Sequence, residues 1–404
     1  MSGMGSKMLE LDDEDELKDF RACFVDDRSG VNYLDGNSLG RLSRAARDSI
    51  MTAIDQEWGV ELIRGWEHWG ELSFAIGDTL AAELLGAAPG QVVVADSTSV
   101  NLYKVIMAAH SLVPDRRVLL ADLNDFPTDR YILEGIAKAN RMELRFIATA
   151  MDEPVVADDF APYLDDDVAV VVLSQVNYRS GALNDLAQIA YTVHSVGAML
   201  VGDLSHSVGA VPIALDDDDI DFAVGCTYKY LNGGPGSPAF LYARRRLQAE
   251  LTQPIWGWFS ARDQFKMAPG YEPVAGIGRF LVGTPPVLQL RALEGALTVV
   301  CEAGIERLRA KSLRQTELAI ELFEQVLAPH GFRLASPRLG PERGGHVSFE
   351  HPHAQELTSI LLRDHRVLVD YRAPNRVRFA PSPLYTSFAQ VYEGIMALAK
   401  AVES

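Results

Sequence analysis

One stretch of the sequence, residues 199–238, carries three side chains whose types could serve a single ligand. They are the carboxylate of Asp203, the imidazole of His206 and the amine of Lys229. A carboxylate can pair with a cationic nitrogen, an imidazole exchanges protons near neutral pH, and a lysine amine can attack a carbonyl carbon. One carbonyl-containing cofactor could use all three.

The elements around these residues place two of them at one edge of a sheet. Residues 198–202 are apolar and uncharged, which predicts a parallel strand buried on both faces and ended by Asp203. Residues 220–226 predict another strand, which leads directly to Lys229. Because ligands of open α/β sheets collect at the carboxyl ends of the strands, we expect Asp203 and Lys229 to meet there.

Asp203 and Lys229 together fit pyridoxal 5′-phosphate (PLP). This cofactor needs a lysine amine for attachment and an acidic partner for its pyridine nitrogen. Each residue alone has an ordinary explanation, because an Asp after a strand often caps a helix and a lone Lys is usually a solvated surface charge. A lysine between Tyr228 and Tyr230, directly after a buried strand, is an unusual surface lysine.

Three consecutive hydroxyl residues, Ser97, Thr98 and Ser99, precede a predicted helix at 102–112. Hydroxyls and free N–H groups at a helix start can hold a phosphate. An ordinary N-cap is the alternative, although a cap needs only one hydroxyl. Neither a GxxxxGK[ST] nor a GxGxxG motif occurs, which disfavours the nucleotide-binding folds.

Composition narrows the possible partners and the compartment. The 404 residues carry a net charge of −18, so the chain would be repelled by nucleic acid and by anionic membranes. The three cysteines share no metal-type spacing, and neither a membrane-length apolar run nor a signal-peptide hydrophobic region is present. We therefore expect a cytoplasmic protein that binds no metal. His346, His351 and His353 are interpreted as a surface cluster rather than as a metal site.

Apolar strands alternate with helices as far as about residue 300, and a smaller α+β unit follows Pro329. Alternation of this kind predicts an α/β fold with a parallel or mixed sheet and a site along one edge. An irregular aromatic and Gly/Pro segment, residues 253–286, interrupts the pattern. Long loops of this kind tend to be functional.

Several short motifs in order resemble the kynureninases, PLP enzymes of the aspartate-aminotransferase-like fold group. The resemblance covers nearly the whole chain, and its motifs are residues 34–40, 97–102, 126–129, 202–209, 228–232, 257–259, 283–286 and 381–385. It implies a fold-type-I large domain at 46–300 with a mostly parallel sheet, a small C-terminal α+β domain at 301–404, and an N-terminal segment, 1–45, that belongs to the small domain.

The resemblance also implies residue roles. Catalysis would use Lys229, Asp203 and Tyr228. PLP would be bound by Thr98, Ser99, Phe126, Asp129, Ser174, Asp203, His206, Tyr228 and Lys229, with Trp258 and Thr284 supplied by the partner subunit of a homodimer. The substrate would contact Ser38, Trp66, Gly283 and Arg378, with Arg378 on its carboxylate. The implied reaction is hydrolysis of L-kynurenine to anthranilate and L-alanine, in tryptophan catabolism through the kynurenine pathway and in NAD biosynthesis.

Two alternatives stay open from the sequence. Another fold-type-I PLP enzyme, such as a cysteine desulfurase or a lyase, is the first. A desulfurase needs a reactive cysteine on a mobile loop, whereas Cys301 falls in a helical apolar stretch. The second is a binding protein that keeps the fold without chemistry, and the presence of both Asp203 and Lys229 argues against it.

Overall fold

The computed structural model describes residues 2–26, 29–267 and 269–403. Its strands are, in chain order, β1 Asn32–Tyr33, β2 Val92–Val94, β3 Val118–Asp122, β4 Glu143–Ile147, β5 Val168–Ser174, β6 Met199–Asp203, β7 Phe222–Gly225, β8 Phe240–Ala243, β9 Arg333–Leu334, β10 Val347–Glu350, β11 Val367–Leu368, β12 Asp370–Arg372 and β13 Arg376–Phe379.

The α-helices are α1 Ser2–Asp13, α2 Arg44–Thr52, α3 Trp66–Trp69, α4 Leu72–Leu80, α5 Thr98–Leu112, α6 Pro127–Asn140, α7 Ala157–Phe160, α8 Leu186–Ser195, α9 Val287–Ala303, α10 Ile305–Leu322, α11 Ala354–His365 and α12 Phe388–Glu403. The π-helical turns Ala53–Glu61, Ala81–Leu85 and Phe323–Leu327 extend α2, α4 and α10. Short 3₁₀ turns occur at Lys18–Cys23, Leu62–Gly65, Ala161–Tyr163, Arg245–Leu247, Trp258–Ser260, Gln264–Lys266, Gly276–Phe280, Ala328–His330 and Gly340–Glu342. None of the described helices has both the length and the apolar composition that a bilayer span requires.

A seven-stranded sheet forms the centre of the large domain, in the order β2-β8-β7-β6-β5-β3-β4. The strands from β7 to β4 pair in parallel, whereas β8 runs antiparallel to both β7 and β2. Every residue of β5 and β7 is buried, as expected for strands covered by helices on both faces. The predicted mostly parallel sheet is confirmed.

The C-terminal part has its own antiparallel sheet, ordered β12-β13-β10-β9, with α11 and α12 packed near it. The N-terminal segment joins this part, because β1 pairs in parallel with β11 and the buried Met8 belongs to the same apolar core as α12. The limits of the predicted domains, at residues 45 and 300, stay predictions. Met1, Asp27 and Arg28 of the predicted N-terminal segment, Ala268 of the large domain and Ser404 of the small domain lie outside the described residues.

Candidate active site

The carboxyl ends of β5 and β6 lie side by side, since Ser174 pairs with Asp203 in the parallel register. The next strand, β7, leads into the turn that carries Lys229. Buried Thr227 holds this turn, because its hydroxyl lies 2.7 Å from both Ser237 Oγ and the carbonyl oxygen of Pro238. Strand pairing and one buried hydroxyl thus bring Asp203 and Lys229 to the same edge of the sheet.

A cavity of about 210 Å³ opens at this edge. It is lined by Ser97, Thr98, Ser99, Phe126, Thr128, Asp129, Ser174, Val176, Tyr178, Asp203, Ser205, His206, Tyr228 and Lys229. Nine predicted cofactor-binding residues are therefore brought together in one place: Thr98, Ser99, Phe126, Asp129, Ser174, Asp203, His206, Tyr228 and Lys229. Their individual chemical roles stay predictions.

Lys229 has a nitrogen partner at the cavity wall. Its Nζ atom lies 2.8 Å from Nε2 of His206, and the other ring nitrogen of His206 is buried without a partner. Burial, and then the charge of Lys229, lower the pKa of His206 well below its ordinary value. The imidazole is therefore neutral near pH 7, and its Nε2 can accept a proton or a hydrogen bond from the amine.

Three buried carboxyl groups, those of Asp125, Asp129 and Asp203, interact with one another, and Asp129 also interacts with Lys229. Asp203 accepts a hydrogen bond from the backbone N–H of Ser205 at 2.7 Å. Burial raises the pKa of Asp125 to about 7. Burial and the neighbouring charges of Asp203 and Asp125 raise the pKa of Asp129 well above its ordinary value. Burial and mutual repulsion therefore disfavour the charged forms of Asp125 and Asp129, and a cationic ligand beside the cluster would stabilise those forms.

The first turn of α5 forms another wall. Ser97 caps this helix by accepting from the backbone N–H of Val100 at 3.4 Å, and the next residues, Thr98 and Ser99, line the cavity. The helix has 15 residues, so its N-terminus offers free N–H groups and the positive end of a dipole. Hydroxyl and N–H donors thus face one region of the cavity, as a phosphate requires.

Arg378 lies behind the cavity on β13 and is fully buried. Its guanidinium donates to Ser38 Oγ at 2.9 Å, pairs with Asp370 at 2.7 Å, and donates to the carbonyl oxygen of Tyr178 at 2.5 Å. Since Tyr178 also lines the cavity, Arg378 and Ser38 stand next to its wall. The structure thus brings together these two predicted substrate residues.

Besides Ser38 and Arg378, four further predicted residues are not among those that line the cavity: Trp66, Trp258, Gly283 and Thr284. Trp66 instead packs edge-on against Trp69, with ring centroids 5.5 Å apart, and lies 5.8 Å from the ring of Phe259. Trp258 is 44% exposed, and Gly283 and Thr284 are exposed. A single chain does not bring these residues to Lys229.

Four residues line the cavity although the sequence predicted no role for them. Thr128, Val176, Tyr178 and Ser205 line the cavity, and all four stand within or directly after a predicted strand end or motif. The assignment of His346 to a surface cluster is wrong, because this residue is fully buried and its ring centroid lies 5.6 Å from that of His206. The contact joins segments 140 residues apart, so no local pattern could have predicted it.

The residues present fit PLP by several criteria. A carboxylate cluster suits a protonated pyridine ring, the helix start suits a phosphate, and Lys229 supplies the amine. Asp129 Oδ2 and His206 Nδ1 are buried polar atoms without a partner, as expected where a polar ligand completes the site.

Solved structures with this fold are PLP enzymes and their relatives. The cysteine desulfurase CsdA from Escherichia coli superimposes with a TM-score of 0.82 at 16% identity, over 95% of this chain and 98% of that one. The cystine C–S lyase C-DES, with glycine covalently linked to its PLP cofactor, gives a TM-score of 0.81 at 20% identity, over 92% of this chain and 97% of that one. The chain therefore has the fold-type-I architecture of these PLP enzymes, and its cavity fits the same cofactor.

The sequence relatives identify the family within this class. Kynureninase from Pseudomonas fluorescens is 42% identical over 401 residues, 98% of this chain and 94% of the relative. Kynureninase from Burkholderia pseudomallei (strain K96243) is 42% identical over 398 residues, 96% of this chain and 93% of the relative. The family model of the kynureninase C-terminal domain matches residues 308–398. The chain belongs to the kynureninase family, whose members are hydrolases of carbon–carbon bonds.

Proposed function

We propose that this enzyme hydrolyses the Cβ–Cγ bond of L-kynurenine and releases anthranilate and L-alanine. Full-length identity of 42% to kynureninases is the observation that carries the proposal. Bound PLP supplies an electron sink for the bonds at the substrate's Cα. The residues of this chain then have four tasks: to hold the cofactor, to orient the substrate, to move protons and to exclude competing chemistry.

Lys229 and Asp203 carry the central steps of the proposed mechanism. Asp203 is buried at the cavity wall, where its charge would hold the cofactor by its protonated ring nitrogen. The free amine of Lys229 would carry the proton removed from Cα of the substrate. His206, at 2.8 Å, accepts a hydrogen bond from this amine and holds it in place.

Tyr228 serves as a proton relay in this proposal. It lines the cavity next to Lys229, and burial, followed by the charge of nearby Cys226, raises its pKa above the ordinary value. The phenol is therefore protonated at neutral pH and could donate a proton to Cβ of the alanine part, or a hydrogen bond to the hydrated ketone. Phe126 packs edge-on against Tyr178 at 5.0 Å and forms an aromatic wall for the cofactor ring.

Arg378 and Ser38 are proposed to bind the substrate. A guanidinium matches a carboxylate with two parallel donors, and Arg378 is held by Asp370 and Ser38 without any exposure to bulk water. Burial from solvent strengthens this interaction relative to a surface pair. The substrate's α-carboxylate would be fixed by Arg378, with the Cα bonds aligned to the cofactor.

We further propose that the enzyme acts as a homodimer, with Trp258 and Thr284 of one subunit reaching the phosphate in the other and with Trp66 and Gly283 bordering the substrate ring. Exposed large apolar side chains support a partner surface. They fall on two segments, Trp58 to Ile63 and Trp256 to Met267, and their exposed members are Trp58, Val60, Leu62, Ile63, Trp256, Trp258, Phe265 and Met267. Trp66, three residues after the first segment, contacts Phe259 of the second.

A role in tryptophan catabolism and in NAD biosynthesis, in the cytoplasm, completes the proposal. Incubation of the purified protein with L-kynurenine should produce anthranilate fluorescence together with one equivalent of L-alanine.

A desulfurase would instead release sulfur from L-cysteine. The thiols of Cys226 and Cys301 do not favour that reaction, because burial raises the pKa of both, that of Cys301 to about 11. Sulfur release without anthranilate would reject the proposal.

A further inference from the structure

Lys104, on α5, is a lysine with no exposed side-chain surface. Its Nζ donates to Asp96 Oδ2 at 2.6 Å and to the carbonyl oxygen of Phe280 at 2.7 Å. Fully buried lysines are rare because the ammonium loses its hydration, and burial lowers the pKa of this one. Lys104 does not line the catalytic cavity, so its cost in desolvation is not explained by contact with the cofactor.

Asp96 lies beside the proposed phosphate site. It directly precedes Ser97 and Thr98, and with them and Tyr228 it lines a second cavity of about 390 Å³. Its backbone has a φ of 52°, in the left-handed region that residues with a side chain seldom adopt. The turn therefore places a carboxylate in the same cavity wall as Ser97 and Thr98, at the end of α5 that would receive a phosphate. Without a counter-charge, this carboxylate would repel the phosphate.

Phe280, the other partner, ends the short helix Gly276–Phe280. Three residues later comes Gly283, followed by Thr284, which is proposed to reach the phosphate of the other subunit. One ammonium therefore links the turn before α5 to the start of this segment. Lys104 thus contacts both the turn that precedes this chain's proposed phosphate site and the segment proposed to reach the phosphate of the partner subunit.

We propose that Lys104 is a positioning residue for the phosphate of PLP, which neutralises Asp96 and fixes the turn that presents Thr98 and Ser99. The inference rests on the proposed function, in which Thr98 and Ser99 hold that phosphate. It predicts that Lys104 affects only ligands that carry the phosphate. A role in packing alone would affect ligands with and without a phosphate equally.

The test compares the binding of PLP and of pyridoxal, which lacks the phosphate, to the cofactor-free protein. Dissociation constants would be measured by absorbance titration for the wild type, Lys104→Met, Asp96→Asn and the double variant. Lys104→Met should raise the Kd for PLP at least about tenfold, because a negative charge next to the phosphate is then uncompensated. The Kd for pyridoxal should stay unchanged, and adding Asp96→Asn should restore the affinity for PLP.

Equal losses for both ligands, or no rescue in the double variant, would overturn the inference. If Lys104→Met does not fold, as judged by thermal unfolding, Asp96→Asn decides alone: its preference for PLP over pyridoxal should rise, and an unchanged or reduced preference would reject the proposal. A wild type that binds both ligands equally would instead disprove the phosphate site. The two failures are therefore distinguishable.

Discussion

The Nζ atom of Lys229 lies 2.8 Å from Nε2 of His206, so the candidate catalytic amine is held by a neutral imidazole. The carboxyl groups of Asp129 and Asp203 line the same cavity. The amine therefore shares one cavity with a neutral nitrogen acceptor and two buried carboxyl groups. This arrangement keeps it oriented without pairing it to a single fixed carboxylate, so it is free to bond to a cofactor.

Replacement of Lys229 tests the covalent chemistry. Lys229→Ala should lower kcat by at least about three orders of magnitude, because no other residue in that place offers a nucleophilic amine that also carries the proton. Lys229→Arg, which keeps the charge, should be equally inactive. Anthranilate fluorescence and the visible band that borohydride abolishes would be measured. Normal turnover in either variant would reject PLP catalysis through Lys229, and the exposed Lys138→Ala serves as the control.

Replacement by asparagine should affect PLP retention differently at Asp203 and at Asp129. Asp203→Asn removes the charge proposed to face the ring nitrogen, a loss of about 3 to 5 kcal/mol for a buried pair, so PLP should dissociate during dialysis. Burial and the charges of Asp203 and Asp125 raise the pKa of Asp129, so the replacement by Asn removes less charge there than at Asp203. Asp129→Asn should keep its cofactor. Equal retention of PLP in the two variants, measured by absorbance, would contradict this distinction.

Arg378 and Ser38 should differ in how strongly they affect substrate use. Arg378→Lys should lower kcat/KM for L-kynurenine at least about 100-fold, since a lysine cannot match a carboxylate with two parallel donors. Ser38→Ala removes one hydrogen bond to Arg378, so we expect kcat/KM for L-kynurenine to fall about 10-fold. The visible absorption of the bound cofactor should stay unchanged in both. An unaffected kcat/KM in Arg378→Lys would place the carboxylate elsewhere.

Mixed dimers test the shared site. Lys229→Ala and the double variant Trp258→Ala, Thr284→Ala should each be weakly active or inactive alone. Co-expressed in equal amounts, they form mixed dimers in about half of the molecules, and one of the two sites in each mixed dimer is intact, which gives about one quarter of wild-type activity. Absence of any recovery, with mixed dimers demonstrated by tagged subunits, would show that Trp258 and Thr284 serve their own chain's site.

The pH dependence of folding stability follows from Asp35. Burial and the charge of Asp370 raise its pKa to about 6 in the folded protein. A carboxyl group of this kind favours folding while protonated, below about pH 4, and this contribution is lost as pH rises through about 6. Asp35→Asn has no carboxyl group to ionise, so its free energy of unfolding should not fall in this pH range for that reason. The difference in free energy of unfolding between the variant and the wild type should therefore shift in favour of the variant by up to about 3 kcal/mol from pH 4 to pH 7. Urea unfolding at several pH values measures it; a constant difference would contradict the assignment.

Short-range patterns predicted the elements of the site well. The uncharged run before Asp203 is a buried parallel strand, as predicted. Asp203 and Lys229 line one cavity because both follow strands of the same sheet. Local composition was sufficient here because each strand needs only its own apolar run and a polar residue at its end.

Other features depend on contacts that no local pattern encodes. Strand β8 was not predicted: its apolar residues 239–243 follow a Gly/Pro loop, and its antiparallel pairing with β2 joins residues about 150 positions apart. His346 was misjudged for the same reason, since its burial depends on His206 and the large domain. The proposed positions of Trp66, Trp258 and Thr284 depend on a second copy of the chain, which one sequence does not describe.

The contact of Arg378 with Ser38 joins positions 340 residues apart, whereas every residue that lines the catalytic cavity lies between 97 and 229. During translation, all the residues that line the cavity are therefore synthesised long before Arg378 is added. Closing so long a loop is slow because the chain must search a large volume first. The proposed carboxylate site is thus among the last parts of the enzyme to form, and a chain that ends before residue 378 lacks it entirely.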